Sequence, residues 1–170
     1  MKIILLIIAA LSFSINAEID LVTLDNWNIV STSKHDLFIS KQGEINPVNF
    51  IGFRMGRGSF CICNSPIINL ATTNKLEKGS LIDGTMAVDM TSPKSTRFRV
   101  LQWFDTGSVF LRPLSFPSIR KSKVVEIDSD IGKALFITNG IENAMSSSKN
   151  MCETNYYFEH VELKAKEMDV

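Results

Sequence analysis

Three cysteines, two histidines and a cluster of arginines are the side chains of this sequence with chemistry to offer. Cys61 and Cys63 stand two apart in the apolar stretch Phe60-Cys61-Ile62-Cys63, and Cys152 follows far downstream. On a strand, residues two apart point the same way in parallel, which disfavours a bond between them. The spacing predicts a disulfide from one of the pair to Cys152, closing a loop of about 90 residues worth ~4 kcal/mol on the loop-entropy model. The third cysteine is left as a buried, inert thiol or as one that pairs with another chain. His35 and His160 are far from each other and from the cysteines. That scatter lacks the paired spacing of a structural zinc site, so no metal and no cofactor is expected. Between Lys94 and Lys123 the basic residues Lys94, Arg97, Arg99, Arg112, Arg120, Lys121 and Lys123 meet a single acid, Asp105. The plain reading is a solvated basic surface; the sharper one is a binding face built from Arg97, Arg99, Trp103, Arg112 and Lys121. Arginine and tryptophan are favoured interface anchors. Facing alternates along a strand, so one of Trp103 and Phe104 is expected in the core.

Three other patterns bear on catalysis or ligand binding. Asp105-Thr106-Gly107-Ser108 after an apolar strand resembles the active-site signature of pepsin-like and retroviral-type aspartic proteases. That resemblance implies two carboxylates sharing a proton, hence a homodimer with Asp105 from each copy. Trp103 and Val109 depart from the family on either side, and the later apolar-apolar-Gly element has no good counterpart. Gly56-Arg57-Gly58 lacks the following helix that a phosphate loop needs and reads as a turn. Asp128-Ser129-Asp130 lacks the spaced ligands and closing Glu of a calcium loop. No complete catalytic set is visible, and the expectation is a protein that is not an enzyme.

The elements that position these residues begin with compartment. Residues 1–17 carry Lys2, an apolar run from Ile3 and the small residue Ala17, the pattern of a secretory signal cleaved before Glu18. The apolar run is too short to span a bilayer, and no later stretch is long enough, so no stable membrane insertion is expected. A periplasmic or secreted location follows, and with it the oxidising conditions that disulfides need. Residues 18–170 suit one β-rich domain. The 18 basic and 18 acidic side chains balance to a formal charge of zero. That balance argues against nucleic acid, whose binders carry a basic excess.

Along the chain, 18–25 reads as a lead-in. Strands are predicted at 27–32, 36–41, 48–55 and 59–63, a short helix after Ser65-Pro66 with Ile67, Leu70 and Ala71 on one face, and extended chain over 80–90 broken at Asp83-Gly84. A hairpin is the clearest signal at 96–111, with its turn at Asp105-Thr106-Gly107. Strands at 124–127 and 134–137 precede a short helix after Gly140 carrying Ile141, Ala144 and Met145, and a closing strand at 156–164 holds His160. The fold class expected is mainly β, an antiparallel β-sandwich or barrel with one or two short helices. The segment from Lys123 to Met145, strand, turn, strand and small helix, resembles the C-terminal pattern of invasion-associated locus B proteins. The resemblance implies an exported bacterial β-sandwich and transfers no active residues. Together these readings point to a non-enzymatic exported binding protein, in the style of a periplasmic inhibitor or immunity protein, recognising a protein or an acidic envelope component. A structural part of an envelope secretion or surface assembly is the alternative, and the dimeric protease using Asp105 a third.

Overall fold

The computed structural model describes residues 21–33, 36–56 and 66–168, with side chains at 21–30, 37–56 and 66–154. The expectations for residues 1–17, for His35, for the turn and strand at 57–63 with Cys61 and Cys63, and for the side chain of His160 lie outside them.

The described residues form ten strands: β1 (Leu21–Leu24), β2 (Trp27–Ser33), β3 (Asp36–Gln42), β4 (Phe50–Gly56), β5 (Ile67–Ala71), β6 (Leu81–Val88), β7 (Lys94–Phe104), β8 (Ser108–Pro113), β9 (Val124–Ser129) and β10 (Gly132–Ile137). They form one sheet in the order β1-β2-β3-β4-β5-β8-β7-β6-β9-β10, and every pairing is antiparallel. The mainly β class expected from the turn spacing is observed. The form is a single sheet rather than two, and β1 and β10 do not pair, so the barrel is not closed. The sheet curls instead. Alternate residues of the strands, among them Ile29, Ile39, Ile51, Ile68, Leu111, Phe98, Ile127 and Phe136, converge in one buried cluster. The link after β3 crosses to the far edge, where Glu44 N donates to Leu135 O at 2.9 Å and Asn49 Nδ2 to Lys133 O at 3.4 Å.

Helix α1 (Ile141–Met168) packs against β2, β3 and β4. Ile141, Ala144, Met145, Ser148 and Cys152 are buried and recur at helical spacing on one stripe. Its start is fixed by a reverse turn. Gly140 has φ of 80°, and a Cβ there would run into the side chain of Asp25 in the β1–β2 turn. In that turn Asp25 and Asn26 hold φ of 50° and 62°, the doubly left-handed pattern of a two-residue hairpin. Across the same contact Trp27 Nε1 donates to Asn139 O at 3.0 Å and Asn143 Nδ2 to Asp25 Oδ2 at 3.0 Å.

Four expectations are corrected. Residues 21–24 are strand β1 rather than a lead-in. Ile67–Ala71 is strand β5, because Ile68 and Leu70 meet Leu111 and Val109 across β8 and bury on one side of the sheet. Strand β6 continues through Asp83-Gly84, since Gly84 leaves room for the carbonyl of Asp128 and the ring of Phe98. Residues 156–164 belong to α1, one long helix where short ones were expected. Among the described residues no helix is long and apolar enough to cross a membrane.

Candidate binding face

The β7–β8 hairpin carries the candidate face. On β7 buried Thr96, Phe98 and Val100 alternate with exposed Arg97 and Arg99, so both arginines leave the sheet on the side away from the core. Arg99 is the direct cross-strand partner of Arg112 on β8, which is also exposed. Two like charges placed opposite each other destabilise a sheet. Among the described residues none of the three arginines makes an ion pair or side-chain hydrogen bond that would offset this. Asp83 is the backbone partner of Arg97 on β6, but the two side chains form no ion pair.

Apolar side chains rim the arginines. Leu81, the partner of Arg99 on β6, is 44% exposed. Beyond β8, Leu114 and Phe116 are 45% and 42% exposed. They are not on a loose loop. Leu114 N donates to Arg97 O at 2.8 Å, and Thr96 Oγ1 donates to Ser115 O at 2.7 Å and lies 3.1 Å from Ser115 Oγ. Arg97 thus holds the rim through its backbone carbonyl while presenting its charge, and its buried neighbour Thr96 holds the next residue.

Trp103 and Lys121 do not join this face. By simple alternation Trp103 would lie on the side of Arg97 and Arg99. A register shift between Val100 and Gln102 turns it over, so that Trp103 stands opposite buried Val109. There it packs half-buried on the core, its ring 5.9 Å from Lys75 Nζ and its indole nitrogen enclosed without a hydrogen-bond partner. Phe104 is released to the outer side, where its ring meets that of Phe110 edge-on at 4.7 Å. Lys121 sits 4.0 Å from Glu142 at the start of α1, an exposed pair of little energetic weight.

Sequence reading missed the aromatic run of which Phe104 is the end. Phe38, Phe50, Phe110 and Phe104 form successive edge-to-face contacts at 5.9, 5.4 and 4.7 Å on the outer side of β3, β4, β8 and β7. The ring of Phe38 covers the bare backbone of Gly52. Phe50 follows Asn49 at the end of a turn, and nothing local in the sequence ties it to Phe110.

No protein-family model, curated protein or solved structure matches this chain. The functional reading rests on the side chains themselves. Asp105 is exposed in the three-residue turn between β7 and β8, where Gly107 takes a φ of 83° and closes the turn onto Phe104 O at 3.0 Å. Its carboxylate makes no hydrogen bond or ion pair among the described residues. Among those residues no group of three or more His, Cys, Asp or Glu is arranged to hold a metal ion. Cys152 is 6% exposed, on the stripe of α1 that packs into the core.

Proposed function

We propose that the protein is an exported binding module without catalytic activity, which captures an acidic protein or envelope component through Arg97, Arg99 and Arg112. One observation carries this reading: three arginines are gathered on one exposed sheet face, Arg99 and Arg112 directly opposed, and none of the three forms an ion pair among the described residues, although Asp83 lies across from Arg97. Such a face is unfavourable in isolation and gains from an anionic partner. The location belonging to this function is the periplasm or the medium, with residues 1–17 removed at export. There Cys152 joins Cys61 or Cys63, leaving the other as a thiol.

The test is affinity capture from the envelope and medium of the native cell, with mass spectrometry of the partner and of the disulfide. Arg97→Glu with Arg99→Glu is expected to lower capture by about tenfold or more without lowering the melting temperature. Undiminished capture by this variant would discard the arginine face. Recovery within a membrane complex, independent of the arginines, would instead assign a structural role in an envelope assembly.

A further inference from the structure

We infer that the arginine face takes an extended segment of its partner bearing carboxylates at positions i and i+2 and an apolar side chain at i+4. The inference rests on the binding function proposed above and specifies the partner's chemistry. Arg97 and Arg99 are two residues apart on one strand, which sets their departure points ~6.7 Å apart along β7. A partner chain in extended conformation repeats its same-side residues at that interval, whereas in a helix residues i and i+2 point apart.

The first carboxylate sits between Arg99 and Arg112. Cross-strand partners are ~5 Å apart, and an anion between two guanidinium groups replaces their repulsion with two charge-assisted contacts. The second carboxylate meets Arg97 one strand period along. Leu114 is hydrogen-bonded beside Arg97, and Ser115 is held by Thr96, so Leu114 and Phe116 stand at and beyond that step. Their exposed surfaces receive the apolar residue at i+4. A purely polyanionic ligand would leave these pinned apolar side chains in water, which favours the mixed acidic and apolar segment.

The experiment measures fluorescence anisotropy of labelled synthetic peptides with the purified protein. One peptide has the order acid-x-acid-x-Phe, a second the reverse order, and a third the same composition with acids at i and i+4. One of the first two is expected to bind about tenfold tighter than the third, and to lose about tenfold on Arg99→Gln and severalfold on Phe116→Ser. Equal binding of all three peptides, or binding of none, overturns the inference. So does arginine-dependent binding to anionic phospholipid vesicles without binding to peptide. If Arg97→Glu with Arg99→Glu abolishes capture of the native partner while the peptides remain indistinguishable, the binding function stands and the extended-segment reading falls.

Discussion

Arg99 and Arg112 illustrate a residue pair kept at a cost to the fold. Because they oppose each other without a counter-charge, Arg99→Thr is expected to raise the urea midpoint, more at low salt than at high, while weakening partner capture. A midpoint that falls or shows no salt dependence would mean that the repulsion is already relieved. Trp27 is the opposite case, fully buried with its one polar atom satisfied by Asn139 O. Trp27→Phe should lower unfolding free energy by about 1 kcal/mol for the hydrogen bond, plus a packing loss, as read by chemical denaturation. Residue type alone grouped Arg97, Arg99, Trp103, Arg112 and Lys121 on the hairpin, and alternation put one of Trp103 and Phe104 in the core without saying which. That choice turns on a single extra residue in β7, which inverts facing and carries no composition signal. The rim of Leu114 and Phe116 was equally illegible, because it depends on Leu114 N donating to Arg97 O and Thr96 Oγ1 donating to Ser115 O, in a segment that reads as plain loop.

Among the elements, the β7–β8 and β9–β10 hairpins followed from local pattern, each having alternating residues and its own turn. Strand β5 did not. Ile67, Leu70 and Ala71 fit a helical stripe as well as a strand, and Ser65-Pro66 supplied a convincing cap; the decision is made by β8, about forty residues away, whose Leu111 and Val109 pair with Ile68 and Leu70. Helix α1 was underestimated for a related reason. Ser146-Ser147-Ser148 is a poor helical run in isolation, yet Ser148 is buried with its hydroxyl donating to Ala144 O at 2.8 Å, and packing on β2 to β4 overrides propensity. Cys152 lies on that packed stripe, so Cys152→Ser should cost ~2–4 kcal/mol, measured by denaturation with and without reductant. A variant as stable as the wild type, with the wild type itself unaffected by reductant, would show that the proposed disulfide does not brace the helix. Where β9 begins beside the end of β6, one side chain ties the two: Asp89 Oδ1 accepts from Lys123 N at 2.6 Å and Val124 N at 2.9 Å. Asp89→Ala is expected to cost about 1 kcal/mol and to speed amide exchange at those two positions.

At the scale of the whole molecule, the proposed capture by a formally neutral chain would draw on local charge, since three of its arginines share one face of the sheet. Capture should therefore weaken as salt rises from low to physiological strength, in the rate of association more than in dissociation. The curl of the sheet was beyond sequence reading, as it follows from contacts such as Glu44 with Leu135 that join distant segments. A further consequence follows from the junction of Asp25 and Trp27 with Asn139 and Asn143. The opening hairpin finds its seat only when the beginning of the final element arrives, so a growing or threading polypeptide spends most of its passage with an uncovered apolar flank. A chain shortened before Asn139 is therefore expected to be cut more readily by protease than the full chain, as limited proteolysis would read.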